Sequence, residues 1–508
     1  MLFVVELLVS SNRESVVTRA IYCRLISMKT IIPTIILVVS SYSVWAQSPA
    51  ERVDEIIRRE MQERKVPGLQ IAIVKSGSIA LSRSYGLANL QDSIPVDNFT
   101  IFPINSCTKV FTSVAIMRLV EAGKINLSAP VTTYVDSLPP SWQNVTVRQL
   151  LTHTSGLPDL LKLLDPKTGG LAALKTERGA WEKLKEQPID FQPGERFSYN
   201  QTNGYLLGKI IEKLTGRPFA EVYAQTQFMP LNMSHTLFGD SRDVIPHYAP
   251  TYFFRGALDG RRLTRPTLVN NYYEFPYFRR TASGLNSTAE DVAHWLIALQ
   301  SGKLIASKAL RDTMWSQAKF NSGQSTPWAL GWGIAKVRAK HRAMGMSGGG
   351  RAAFLLYPDD DLAVIVLDNL GNSNPEDYLE EIATCYLPGI ADADPMTFLR
   401  INLRKVGFDK AIAITDAQMK KDPQFRPNEF ELNEWAYRML DKNQLPEATA
   451  ILKLNVHLFP NSSNAYDSYG EALLKSGIKS EAMKMYQKSL ALDPHNEHAK
   501  KVLNENRQ

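Results

Sequence analysis

The chain has 508 residues, 44% hydrophobic and 21% charged, with a formal net charge of +7, and that length exceeds one ordinary core, so two or more folded units are expected. The positive charge is spread without Lys/Arg blocks or interleaved aromatics, which argues against a nucleic-acid-binding surface. Three widely spaced cysteines, Cys23, Cys107 and Cys385, exclude a disulfide framework or a zinc cluster.

Met28-Lys29, the apolar stretch Ile31 to Val39 and the segment Val44-Trp45-Ala46-Gln47 read as a secretory signal peptide over residues 28–46, cleaved after Ala46. Residues 1–27 are then an upstream extension, with translation expected to start at Met28. Pro33 and several serines make the segment too short and interrupted for a transmembrane helix, and no later run approaches the roughly 18 apolar residues needed to span a bilayer. A mature, soluble chain exported with so few cysteines suits a bacterial periplasm.

Pro49 to Lys65 is charged and patterned as a helix. Gly68 to Lys75 alternates like a strand, Ser76-Gly77 turns it, and Ile79 to Tyr85 returns. Next comes Ser106-Cys107-Thr108-Lys109, followed at once by the apolar run Val110 to Leu119. On a helix, residues three apart share a face, so the Lys109 amine can take the Ser106 proton if burial or a cationic neighbour keeps that amine neutral. The adjacent Cys107 faces elsewhere and reads as buried packing. Ser-x-x-Lys also occurs at Ser316 to Lys319 and Ser476 to Lys479, so Ser106 has to be singled out by its surroundings.

From Val145 to Leu299 the pattern is mainly helix and loop. Leu150 to Pro158, containing His153, reads as a helix end and tight turn, with His153 a structural hydrogen-bonding residue. Phe197-Ser198-Tyr199-Asn200-Gln201 places a phenol on a loop entering the helical run Tyr205 to Leu214. Gly345-Met346-Ser347-Gly348-Gly349-Gly350 is a flexible strand edge whose backbone N–H groups can approach a substrate. Arg351 to Tyr357 and Leu362 to Leu367 are strands joined by the turn Pro358 to Asp361. Strands at both ends with helices between them predict an α+β fold, an antiparallel sheet flanked by helices with a helical insert.

The tail differs. Pro460 and Pro494, Glu447-Ala448 and Glu481-Ala482, Trp435 and Tyr469, and Leu440 and Leu474 recur at an offset of 34 residues. This period resembles tetratricopeptide repeats, with units at about Glu431 to Pro460 and Ala465 to Pro494 and a capping helix from Asn496. The predicted domains are 47–392, a linker 393–430, and an all-α repeat tail 431–508. His495 and His498 read as a solvated helix face rather than a metal site.

The order Ser-x-x-Lys, Tyr-x-Asn-like segment and late glycine strand, running from about Val53 to Asn369, resembles the serine β-lactamase and penicillin-binding-protein superfamily, most closely its class C-like branch. The resemblance implies a β-lactamase/transpeptidase-like fold, with Ser106 as acylated nucleophile, Lys109 as its activating amine and Tyr199 in proton transfer. Gln201, Met346, Ser347, Gly348 and Gly349 would line the oxyanion and substrate site, with backbone donors at Ser106 and Gly349. It implies no cofactor and no metal.

Two positions depart from the family pattern. Gln201 stands where Asn is usual, and Met346 stands where Lys or His usually helps hold a substrate carboxylate. Arg351 offers either a replacement charge or a solvated one. The expected function is a secreted serine hydrolase acting on a D-amino-acid peptide, ester or β-lactam. The alternative is a penicillin-recognising sensor with little turnover, its tail docking a protein partner. A nucleophile elbow at Gly345 to Gly349 is disfavoured because strands, not a helix, follow it.

Overall fold

A computed structural model describes residues 47–163, 177–255, 266–338 and 340–506. The expected signal peptide, the upstream extension and Cys23 lie outside the described residues. Among the described residues no helix is long and apolar enough to cross a membrane.

The first helix, Pro49–Arg64, starts where its sequence says it should: the Ser48 side chain accepts from Glu51 N–H, the Glu51 carboxylate accepts from Ser48 N–H, and proline opens the first turn. Strands β1 (Gly68–Lys75) and β2 (Ser78–Asn89) form the expected hairpin, with β2 running past Tyr85. Two short strands follow, β3 (Ile94–Pro95) and β4 (Phe102–Pro103). The middle of the chain, expected as helix and loop, also holds β5 (Leu237–Phe238), β6 (Tyr252–Arg255), β7 (Thr267–Asn270) and β8 (Leu285–Ser287). Segments of two to four residues are too short for an alternating pattern to register. The late strands are β9 (Ile334–Lys336), β10 (Ala343–Gly348), β11 (Ala352–Tyr357) and β12 (Leu362–Asp368).

The main sheet has the order β3-β2-β1-β12-β11-β10-β9, and β1 pairs antiparallel with β12 from Leu69 opposite Asp368 to Lys75 opposite Leu362. The terminal segments of this unit therefore close one sheet, as expected. Both faces are covered, which explains why β1, β11 and β12 are apolar almost throughout. Ala72, Val74, Phe354 and Ile365 pack with Phe111 and Trp295 of the helical insert. The alternate residues Leu69, Ile71, Ile73, Leu355 and Val364 pack with Val53 and Ile57 of the first helix.

The tail is all helical. Helices Glu429–Asp441 and Leu445–Leu458 pack as a pair, helices Ser463–Lys475 and Lys479–Leu492 repeat it with both starts 34 residues later, and Glu497–Glu505 follows. The span 393–430 is not an open linker. It holds helices Pro395–Val406 and Ala411–Lys421, and Met396, Leu399, Leu403, Ala411 and Phe425 are buried in the same core as Leu432 and Trp435. His498 is not simply solvated: its Nδ1 lies 2.8 Å from Asp467 Oδ2.

Candidate functional site

Ser106 sits in a 3-10 turn, Asn105–Cys107, that runs directly into the helix Thr108–Glu121. This helix is buried nearly all round, and Val110, Phe111, Val114, Ile116 and Met117 fix it in the core. Its first turn is consequently held rigidly. Asn105, just before Ser106, has φ 45°, a left-handed conformation that asparagine tolerates better than most residues.

Three groups converge on the Ser106 Oγ. The Tyr199 hydroxyl donates to it at 2.7 Å, and the Lys109 Nζ lies 3.5 Å away. The same amine donates to the Ala282 carbonyl at 2.8 Å and to Gln201 Oε1 at 3.1 Å, and stands 4.6 Å from the Tyr199 ring centre. Lys109 is only 6% exposed. Among the described residues no carboxylate pairs with it, so burial, helped by the Arg279 charge, pushes its amine below the ordinary lysine range, against the pull of Tyr199 and Asp159. Desolvation thus shifts the amine towards the neutral, proton-accepting form.

Tyr199 is placed by the loop before the helix Gln201–Thr215, which Asn200 caps by accepting from Asn203 N–H. The Asn200 amide also donates to the Leu157 carbonyl at 2.5 Å, tying the loop to the Gly156 turn. His153 supports the loop from beneath: its Nδ1 accepts from Asn200 N–H at 3.1 Å, and its ring lies 4.7 Å from that of Tyr199. Burial, then the Lys109 charge, hold the imidazole well below its ordinary range, so it stays neutral and structural.

The opposite wall is β10. A Cβ on Gly348 would meet the Ile104 carbonyl and stand 2.9 Å from the Ser106 nitrogen, so only glycine lets the strand lie this close to the nucleophile. Gly349 has φ +59° and approaches the Asn105 amide. Ser347 is partly exposed on the same strand. The Met346 side chain is 3% exposed and belongs to the core that includes Trp328, so the strand wall carries no cation at that position. Arg351 is not solvated. It is buried, its Nε reaches the Gly349 carbonyl at 3.4 Å, and its guanidinium lies 5.7 Å from the Tyr273 ring.

The other matches to the tetrapeptide are dispersed. Ser316 Oγ donates to the Asp312 carbonyl, and Ser476 closes one tail helix while Lys479 opens the next. Cys107 Sγ is buried against the Met346 and Ala352 carbonyls, and burial pushes its thiol up. β10 is followed by β11, so the Gly345 to Gly349 segment lacks the helix that a nucleophile elbow requires. The residue that the sequence did not single out is Arg279. It lies in the 3-10 turn Tyr277–Arg279, three residues before the Ala282 carbonyl that grips Lys109.

A family model described as Beta-lactamase matches residues 53–384. Protein flp of Staphylococcus aureus (strain N315) is 26% identical over 340 residues, 66% of each chain. Penicillin-binding protein 4* of Bacillus subtilis (strain 168) is 27% identical over 307 residues, covering 59% of this chain and 67% of that relative. The chain therefore spans just under two thirds of the flp relatives it matches. Among solved structures, the octameric penicillin-binding protein homologue from Pyrococcus abyssi superposes with a TM-score of 0.56 at 28% identity, over 70% of this chain and 82% of that one. The penicillin binding protein from Bacillus halodurans gives 0.52 at 25% identity, over 62% and 94%.

Proposed function

The chain belongs to the Beta-lactamase family, and from that premise we propose that it is an exported serine hydrolase that forms an acyl-enzyme on Ser106 and cleaves a D-amino-acid peptide, an ester or a β-lactam. The observation that carries this reading is the convergence on Ser106 Oγ of the Tyr199 hydroxyl at 2.7 Å and the unpaired Lys109 amine at 3.5 Å. The hydroxyl attacks the substrate carbonyl carbon, and its proton passes into the Lys109–Tyr199 pair. The bond from Ser106 to the acyl carbon forms, the bond to the leaving nitrogen or oxygen breaks, and the leaving atom departs with the proton. Water then adds to the acyl carbon and restores the Ser106 hydroxyl. The Ser106 and Gly349 N–H groups would hold the oxyanion, a role that the buried Met346 side chain does not affect.

Met346 tilts the choice of substrate. Without a cation on the strand wall, a β-lactam loses its usual carboxylate anchor, which favours esters or peptides. The same feature supports a second reading, a penicillin-recognising protein with little turnover. In that second reading the helical tail, read as two tetratricopeptide-like units, would dock a protein partner.

Intact-mass spectrometry after exposure to a fluorescent penicillin, a D-alanyl peptide and an aryl ester tests these readings. A transient adduct on Ser106 with product release is the expected result. A stable penicillin adduct without product would favour the sensor, and turnover that persists in Ser106→Ala would overturn both.

A further inference from the structure

The sheet unit and the tail enclose a cavity of about 350 Å³, walled by the first helix, the helices Pro395–Val406 and Glu429–Asp441, and the start of the helix Leu445–Leu458. Five cations line it, Arg64, Arg400, Arg404, Arg438 and Lys442, against three acids, Glu63, Asp377 and Glu447. The other partners of these arginines, Glu60, Glu376 and Glu381, pair with them from outside the lining. Pairing inside the cavity is shared rather than one to one: the Asp377 carboxylate alone takes Arg64 at 3.2 Å, Arg400 at 3.2 Å and Arg438. Donors are therefore left over. Arg400 Nε is buried without a hydrogen-bond partner, its guanidinium 5.4 Å from the Trp435 ring centre. Lys442, the C-cap of the helix Glu429–Asp441, has no acid within ion-pair distance among the described residues. Burial, then the Arg64 charge, lower its amine to about 8, so at neutral pH it is still an ammonium.

Cations brought around one space by three helices suit an anion whose oxygens point in several directions. A planar carboxylate is matched by a single guanidinium fork, whereas a tetrahedral phosphate offers three terminal oxygens to donors on separate walls. The lining also has an apolar part, Leu403, Phe408, Trp435 and Met439, with the Phe408 and Trp435 ring centres 5.9 Å apart. A cavity of this volume lies at the low end of those that take small organic ligands. None of its lining residues belongs to the Ser106 cleft.

We propose that this cavity is a binding site for a small organic phosphate, the phosphoryl group held among Lys442, Arg400, Arg438 and Arg64 and the organic part resting against Trp435 and Phe408. It is a second site, independent of the chemistry at Ser106. Its walls come from both the sheet unit and the tail, so its ligand binds the folded chain, with the seam closed, and braces the two pieces against each other.

Isothermal titration calorimetry of the full chain, at constant ionic strength and neutral pH, tests this with phenyl phosphate, inorganic phosphate and benzoate. Phenyl phosphate is expected to bind at a single saturable site with a Kd of about 10 μM to 1 mM, more tightly than inorganic phosphate, with benzoate weakest. Lys442→Met should weaken phenyl phosphate by about 10- to 100-fold, the range of a charge-assisted hydrogen bond. Glu447→Gln, which takes a negative charge from the lining, should tighten it by about two- to fivefold. No saturable binding of either phosphate to the wild type, benzoate bound as tightly as phenyl phosphate, or an affinity unchanged in Lys442→Met would each overturn the proposal. The comparison of the three ligands on the wild type needs no variant, so the proposal remains testable even if Lys442→Met misfolds. None of these outcomes bears on the serine-hydrolase reading, which is read from adducts on Ser106.

Discussion

Charge is handled in opposite ways at the Ser106 cleft and at the seam where the tail meets the sheet unit. Beside Ser106, the Lys109 amine has no carboxylate within ion-pair distance among the described residues. At the seam, arginines are matched by acids. Arg64 bonds Glu60 at 2.6 Å and Asp377 at 3.2 Å, Arg400 reaches Asp377 at 3.2 Å, and Arg404 reaches Glu60 at 2.7 Å and Glu381 at 2.9 Å. Arg438 also bonds Asp377. Paired buried charge fixes how two pieces fit, because breaking one partner leaves the other stranded. Unpaired buried charge shifts protonation and awaits a ligand, and that is what chemistry needs.

The largest effects should come from breaking the cleft. Ser106→Ala is expected to abolish the covalent adduct and lower turnover by roughly 10³-fold or more while leaving thermal unfolding almost unchanged. Gly348→Ala should also remove acylation, since its Cβ would stand 2.9 Å from the Ser106 nitrogen and displace the strand from the nucleophile. A Gly348→Ala protein that labels at the wild-type rate would refute this account of the strand wall. Tyr199→Phe keeps the ring contacts with His153 and Trp328 but loses the hydroxyl 2.7 Å from Ser106. Its turnover should fall by about 10²- to 10⁴-fold, read by single-turnover acylation.

Much of this cleft was legible in the sequence because its parts are local patterns: a tetrapeptide ahead of an apolar helix, a loop tyrosine ahead of another, and a glycine run at a strand. Arg279 was not legible. Nothing in Phe278-Arg279-Arg280-Thr281 distinguishes the two arginines, and only the distant Asp243 and Asp240 decide which is neutralised. The sheet was legible from its hairpin and late strands, whereas the helices of 393–430 were missed although Asp394-Pro395 is a helix start that the structure uses, Asp394 accepting from Thr397 N–H. Their burial depends on Leu432 and Trp435 further along, a tertiary fact that local composition does not carry.

The seam should answer to stability rather than to activity. Burial alone would raise the Glu60 carboxyl, but Arg64, Arg404 and Arg59 overcome that and hold it at about 2, against 4.5 for the free group. A depressed carboxylate stabilises the fold above its unfolded value, and that contribution is lost as pH falls from about 4.5 through 2. Denaturant unfolding of the wild type should therefore lose of the order of 3 kcal/mol across that window. Glu60→Gln, which takes one partner from each of Arg59, Arg64 and Arg404 and leaves them Glu381 and Asp377, should lose about 3 kcal/mol near neutrality and show a flatter acid limb. An unchanged acid limb in the variant would show that Glu60 does not anchor the seam.

Lys442 is the seam residue that behaves like the cleft. It lines the same interhelical cavity of about 350 Å³ as Arg64 and Arg438, and among the described residues no acid pairs with it. Burial first, then the Arg64 charge and further down Arg438, lower its amine to about 8, against 10.5 for a free lysine, with Asp377 and Glu60 opposing. With no nucleophile beside it, the same depressed amine that serves proton transfer at Lys109 is at Lys442 a cost to the unliganded fold. The sign follows from linkage: between about pH 8 and 10.5 the unfolded chain binds the extra proton, so stability should rise with pH across that interval. Lys442→Met should remove that slope and stabilise the protein near neutrality by about 1 kcal/mol, measured by denaturant unfolding at pH 7 and pH 10. If Lys442→Met instead destabilises the protein, the ammonium is held by the Asp377 and Glu60 field rather than opposed by its neighbours, and the contrast between paired seam and unpaired cleft would narrow to Lys109.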